Sequence, residues 1–288
     1  MLTAILSIAV ALFAAPLVGG LITGIDRKVT ARMQGRLGPP LFQPFYDVAK
    51  LLGKQAIVVN KMQIMYVYLH LAFMMLVLVL LALGQDMLLV LFVHAFSTVA
   101  LVMGGMCVRS PYSRIGSQRK IIQMLAYEPI LVLMVVGMYL NNNHSFMAGD
   151  LMSAAMAGKS APMLLSLPLI FIAFLMAVAI KMEKSPFDLA GSHHAHQEIV
   201  KGITIEYSGP YLAIIEIAHF YEVALLFTVI AIFWAPNLII GGVIASVCFT
   251  GLAVLDNMAA RLTIPWMLRI MWTVALGLAM VNILWMYA

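Results

Sequence analysis

Apolar residues along this chain gather into eight long runs, at about 2–24, 64–83, 88–106, 120–140, 164–182, 212–234, 239–257 and 268–287. An α-helix needs about 20 residues to cross a bilayer, and each run is close to that length. The pattern predicts an all-α, polytopic integral membrane protein: one membrane domain over 1–288 with about eight transmembrane helices. The first run lacks a basic leader and an A-x-A site and contains Pro16 and Gly19-Gly20, so it reads as a retained helix and not a signal peptide. Polar residues collect in two longer connections, 25–63 and 183–211. Within the first, "QPFYDVAKLLGKQ" (43–55) has Pro44 at a first helical position, and Leu41, Phe45, Val48 and Leu52 recur at helical spacing around it. That stripe predicts a short amphipathic helix lying in the membrane interface.

Composition agrees with this picture. The chain is 64% hydrophobic and only 10% charged, against about 25% charge in soluble domains. The net charge of +5 does not point to nucleic acid, because in a membrane protein the placement of charge matters more than its sum. Arg27, Lys28, Arg32, Arg36, Lys50, Lys54 and Lys61 lie on the first connection, and Arg109, Arg114, Arg119 and Lys120 on the third. Lys181, Lys184 and Lys201 lie on the fifth, Arg261 and Arg269 on the seventh. Lys159 alone falls on an even-numbered one. The positive-inside rule then puts the odd-numbered connections in the cytoplasm and both termini outside. Cys107 and Cys248 are far apart and form no metal or disulfide pattern.

Ionisable residues inside a membrane helix are costly, so each is a candidate functional group. Glu128 lies near the cytoplasmic end of the fourth run. Glu216, His219 and Glu222 recur every three residues on the sixth, along one slowly drifting stripe, and Asp256 ends the seventh. Together they suggest a proton or ion path; singly, each could be a paired structural charge. His70 and His94 read as hydrogen-bonded packing residues. The fifth connection is the most polar stretch, with Glu183, Asp188, His193, His194, His196, Glu198 and Glu206. Three imidazoles within four residues invite a metal, but a metal site usually needs a further ligand from elsewhere. No metal or cofactor site is assigned to the chain, and no catalytic residue.

Three of these segments resemble one family. "DRKVTARMQGRLGPP" (26–40) is similar to E-R-K-x-x-A-x-x-Q-x-R-x-G-P, found after the first helix of the membrane protein that forms the quinone chamber of respiratory complex I (its 1 or H subunit). "GSQRKIIQMLAYEP" (116–129) resembles G-S-x-R-x-x-x-Q-x-x-x-Y-E. "EKSPFDLA" and "GITIEYSG" resemble E-x-x-x-P-F-D-L and x-x-V-E-Y-S-G. The order is the same and the resemblance covers the whole chain. Its departures point to one branch. His194 and His196 stand where complex I members carry carboxylates, while Glu198 and Glu206 are kept. "LDNMAARL" before "TIPWMLRIMW" is closer to the E-N-S-M-A-R-L of the energy-converting [NiFe] hydrogenases than to the L-P-R-x-R-x-D-Q of complex I, and "GPPLFQPFYDVAKLLGKQ" has the short hydrogenase form. The branch includes the corresponding membrane protein of the Ech-type hydrogenases and its formate hydrogenlyase relative.

The resemblance implies a subunit that anchors a cytoplasmic arm and couples its electron transfer, from reduced ferredoxin to protons, to translocation of H⁺ or Na⁺. The expected partners are hydrogenase large and small subunits, a ferredoxin-like iron–sulfur subunit, an antiporter-like membrane subunit and membrane lipid. Soluble ferredoxin is the indirect donor. The [NiFe] centre and [4Fe-4S] clusters belong to the partners. Asp26, Arg27, Lys28, Arg32, Arg36 and Arg119 would form a docking surface, the fifth connection a coupling loop, and Glu128, Glu216, His219, Glu222 and Asp256 the path. The alternatives are a complex I protein lining a quinone cavity, a stand-alone secondary transporter, which commonly shows an internal repeat not evident here, and a passive scaffold.

Overall fold

The computed structural model describes residues 2–142, 144–156, 162–190 and 201–287, all of them helix, turn or connection apart from one isolated β-bridge. The elements are α1 (Leu2–Met33), α2 (Gln43–Leu52), α3 (Lys61–Ala82), α4 (Met87–Met106), α5 (Pro111–Asn141), α6 (Ala148–Met156), α7 (Met163–Ser166), α8 (Pro168–Lys181), a 3₁₀ turn (Gly202–Thr204), α9 (Pro210–Ile232), α10 (Leu238–Met258), α11 (Ile264–Ile270), a π turn (Met271–Ala275) and α12 (Leu276–Tyr287). Among the described residues, seven helical segments are long and apolar enough to cross a membrane, and α8 is a shorter apolar helix.

Where the helices end differs from where the apolar runs end. The first run, 2–24, continues as helix to Met33, so Asp26, Arg27, Lys28 and Arg32 sit on α1 and not in a loop. At 1.5 Å per residue, α1 is about 48 Å long and outreaches a bilayer core of about 30 Å. The run 120–140 likewise begins at Pro111, which puts Arg114, Arg119 and Lys120 on α5. The run 164–182 breaks at Leu167, between α7 and α8. A break at membrane depth leaves backbone donors without water, and a side chain must satisfy them. Asn282 of α12, fully buried, does so. Its Oδ1 accepts from Leu169 N (2.9 Å) and Ile170 N (3.0 Å), and its Nδ2 donates to Ser166 O (3.0 Å).

The amphipathic stripe of 43–55 forms α2 with Pro44 in its first turn. Its anchor is Phe45, whose ring lies 5.7 Å from that of Phe220 on α9. The core runs through α8 and α9: Phe233 stacks on Phe174 at 5.9 Å and meets Phe171 edge-on at 4.9 Å. Helix α1 crosses α9 at Gly19, where any Cβ would fall 1.9 Å from the Phe220 carbonyl oxygen. Only hydrogen in place of a side chain lets the backbones approach that closely. Outward faces of α1 and α10 carry exposed Phe13, Leu17, Ile239, Val243 and Val247, as helices facing lipid do.

The odd-numbered connections meet at one end of the bundle. Asn60 Nδ2 donates to Cys107 O, Ile57 N to Ser208 Oγ, and Leu262 N to Pro186 O. The even-numbered ones meet at the other, where Gly149 N donates to Gly84 O and Leu164 N to Phe233 O.

Candidate functional site

At the first of these ends, Lys184 leaves α8 between two acidic helix segments. Its Nζ donates to Asp26 Oδ2 of α1 at 2.6 Å and to Asp256 Oδ2 of α10 at 3.1 Å. Asp256 Oδ1 also accepts from Ser185 N at 2.7 Å. Burial works against the Lys184 ammonium, but the Asp26 and Asp256 carboxylates outweigh it and hold its pKa above the ordinary lysine value. The P-F-D-L segment is pinned from α5: Gln123 Nε2 donates to Phe187 O (2.7 Å) and Arg119 Nη1 to Leu189 O (3.3 Å). Lys120 of α5, buried, pairs with Glu183 at 2.6 Å. Beside it Gly116 lets the turn Gly202–Thr204 lie against α5, since a Cβ there would meet Gly202 and Ile203 backbone atoms at 2.7–2.9 Å.

Deeper in the bundle the stripe on α9 meets α4 and α8. Glu222 Oε1 stands 3.6 Å from both Lys181 Nζ and His94 Nε2, and Glu222 Oε2 stands 3.8 Å from His219 Nδ1. Lys181 Nζ touches His94 Nε2 at 2.5 Å and sits 4.5 Å above the ring of Tyr127, a cation–π contact. His70 faces Ser97, with Nδ1 at 2.7 Å from its hydroxyl and 2.9 Å from its carbonyl, the hydrogen-bonded packing role expected of it. His94 was expected to pack in the same way and instead belongs to the charged cluster.

One cavity of about 650 Å³ joins the two sets. Asp26, Arg27, Arg36, Glu183, Asp188, Glu216, His219, Glu222 and Asp256 all line it, with Lys120, Lys181, Lys184 and Lys201. Lys28, Arg32, Arg119, Glu128 and Glu206 do not. Lys28 and Arg32 lie on α1, Arg119 and Glu128 on α5, and Glu206 follows the 3₁₀ turn. Arg27 pairs with Asp47 of α2 at 2.6 Å, and Arg36 bonds Gln34. His193, His194, His196 and Glu198 lie outside the described residues. Among the described residues no three metal-ligating side chains converge. Carboxylates, imidazoles and amines, the side chains whose chemistry is proton exchange, thus line the cavity from the bundle end to the interior.

The NADH dehydrogenase family model matches residues 5–287. The chain belongs to that family, the 1/H type of complex I membrane protein. The H subunit of NADH-quinone oxidoreductase from Anoxybacillus flavithermus (strain DSM 21510 / WK1) is 30% identical over 290 residues, covering 90% of this chain and 85% of the relative. The H subunit from Geobacillus kaustophilus (strain HTA426) is 29% identical with the same coverage. A solved chain from the membrane-bound sulfane sulfur reductase, an archaeal respiratory membrane complex, superposes with a TM-score of 0.83 at 23% identity, over 98% of this chain and 99% of that one. The family's membrane fold is thus present from end to end.

Lys181, Lys120 and His94 are the site residues that sequence reasoning missed. The two lysines counted only as loop charges because they sit where apolar runs meet polar connections. One signal was available: "MAVAIK" carries Lys181 directly on an apolar run, and a lysine there must find a partner or reach water.

Proposed function

We propose that this chain anchors a cytoplasmic redox arm to the membrane and couples its electron transfer to H⁺ or Na⁺ translocation, as a component without redox centres of its own in an energy-converting [NiFe] hydrogenase complex. The supporting observation is the single cavity that runs from the docking end to Glu222 and Lys181. The partners' [NiFe] centre and [4Fe-4S] clusters would supply the electron chemistry, with reduced ferredoxin as the indirect donor and an antiporter-like protein beside this one. The chain's own residues hold and move protons. A change of charge at the arm acts on the connection that carries Glu183, Asp188 and Glu206. Lys120 and Lys184 tie that connection to α5, α1 and α10, so its movement reaches the cavity wall. Glu216, His219 and Glu222 pass the response inward. The odd-numbered connections face the cytoplasm in this reading, because the basic residues gather there.

The same cavity favours a second reading. Its volume suits a drug-sized or quinone-sized ligand, and the relatives of known name are NADH-quinone oxidoreductase subunits. Here the chain would line a quinone chamber. The co-purifying chains separate the readings: a large subunit with two C-x-x-C pairs supports the hydrogenase, while flavin and NADH modules support the quinone reductase. The coupling role has its own test. In liposomes holding the whole complex, Glu216→Gln and Glu222→Gln are expected to lower the ion gradient formed per electron. Unchanged hydrogen evolution with an unchanged gradient would sink the proposed path.

A further inference from the structure

Five cations at the docking end lie apart from the cavity. Lys50 is on α2 and Lys54 just past it, Lys61 opens α3, and Arg109 and Arg114 flank Pro111 at the start of α5. All five are exposed, and none forms an ion pair among the described residues. Arg27, Lys120 and Lys184, by contrast, each hold a carboxylate. The outer cations are gathered by local contacts. Asn60 Nδ2 donates to Cys107 O at 2.9 Å, which brings Lys61 to the connection that carries Arg109, and Arg114 Nε donates to Val108 O at 3.1 Å. Asp47, the acid on α2, is already held by Arg27 and Gln43.

The depth of α2 shows what these cations face. Helix α2 seats on α1 inside the apolar run 2–24: a Cβ on Gly20 would fall 2.4 Å from the Phe45 ring, and one on Gly24 would fall 2.0 Å from Leu41 O. Beyond Gly24, α1 continues for nine residues to Met33, about 14 Å. An arm resting on the end of α1 therefore stands well above α2. The strap after α2 keeps to the level at which the other spans begin and end. Ile57 N meets Ser208 Oγ just before α9, and Asn60 meets Cys107 just after α4. At this level Phe42, Tyr46, Ile57, Val59 and Met62 are each more than half exposed. The exposed face runs on down α3 through Met65 and Tyr68, as on a helix that faces lipid. Aromatic and apolar side chains turned outward beside cations, at the edge of an apolar span, match the boundary between headgroups and acyl chains.

We propose that α2 and the strap to Lys61 bind anionic phospholipid of the leaflet at the docking end. Phe42, Tyr46 and Ile57 rest at the acyl boundary, while Lys54, Lys61 and Arg109 meet the headgroup phosphates. A zwitterionic headgroup carries its own ammonium, which offsets its phosphate. Cations left without carboxylates therefore select the lipid whose charge is not offset. Arg109 adds two parallel donors to a phosphate. The proposal concerns the outer face of the bundle and stands apart from the coupling role.

The test places a photoreactive side chain at the outward face, Tyr46→p-benzoylphenylalanine, in the whole parent complex. The complex is put into vesicles of equal parts phosphatidylglycerol and phosphatidylcholine, irradiated, and its adducts are identified by mass spectrometry. Lipid adducts are expected, with phosphatidylglycerol in about fivefold excess, the effect of one cation at a membrane surface. Adding Lys54→Gln, Lys61→Gln and Arg109→Gln together should bring the two lipids to parity. Adducts formed chiefly with another protein chain would overturn the proposal, because that face would then be a subunit interface. Parity without the three substitutions would overturn it too, as would an excess that survives them. Should the triple variant fail to assemble, Arg109→Gln alone, expected to lower the excess in part, decides together with the starting ratio.

Discussion

Two sets of charges share one cavity and are paired in different ways. At the bundle end, Lys184 bonds Asp26 and Asp256 at 2.6 and 3.1 Å, and Lys120 bonds Glu183 at 2.6 Å. These pairs make direct contact and join α1, α5, α10 and the connection after α8. In the interior, Glu222 stands 3.6 Å from Lys181 and 3.8 Å from His219, beyond hydrogen-bond length. Water does not separate the two sets: the Lys184 and Asp256 side chains are 13% and 7% exposed, those of Lys181, Glu222 and His219 2%, 16% and 34%. The difference is geometric. At the bundle end each lysine meets a carboxylate within hydrogen-bond reach and ties two segments together, whereas Glu222 stands among Lys181, His94 and His219 and closes on none of them.

The largest effect is expected at the best tie. Lys184→Met leaves Asp26 and Asp256 facing each other without their cation, at a cost of about 3 kcal/mol, read as a fall in thermal midpoint of the detergent-solubilised complex. Adding Asp256→Asn should restore part of it. No recovery would mean that Lys184 matters through packing. The pH dependence has a definite sign. The folded-state pKa of Lys184 is raised above 10.5, so its stabilisation is complete below 10.5 and is lost as the pH rises through the higher folded value. Wild type should lose stability faster than Lys184→Met in that range.

Lys120→Met comes next, at about 1–2 kcal/mol, because Glu183 is partly exposed and water takes over some of its solvation. A double-mutant cycle with Glu183→Gln measures the coupling. The interior set should behave in the opposite way. Replacing Lys181 and Glu222 together, by Met and Gln, is expected to change stability by no more than about 1 kcal/mol, since a buried ion pair roughly repays its own desolvation. A loss as large as that of Lys184→Met would erase the contrast between the two sets. Arg27→Gln is the smallest change, at about 0.5 kcal/mol at low ionic strength. The Arg27–Asp47 pair is more than a third exposed, and salt should remove its effect.

Much of the fold was legible along the chain, because burying a helix in lipid depends on the length of an apolar run. The break at Leu167 was not, since it needs Asn282, more than a hundred residues away, to supply its missing hydrogen bonds. Nor was the reach of α1 to Met33. Backbone hydrogen bonding continues past the point where side chains turn polar, so hydropathy ends the element too early. The stripe Glu216–His219–Glu222 was visible because helical spacing is local. Its cations were hidden: Lys181 and Lys120 carry no local sign of what they face.

The all-helical membrane character, the gathering of basic residues between alternate apolar runs and the acidic stripe of α9 can be read along the chain. Each is a property of neighbours in sequence. Which lysine holds which carboxylate, and that His94 meets Lys181 across 87 positions of sequence, emerges from the packed helices alone. Hydrophobic burial adds up residue by residue and tolerates imprecise placement. Pairing depends on ångström distances between groups far apart in the chain, and helix packing alone sets those.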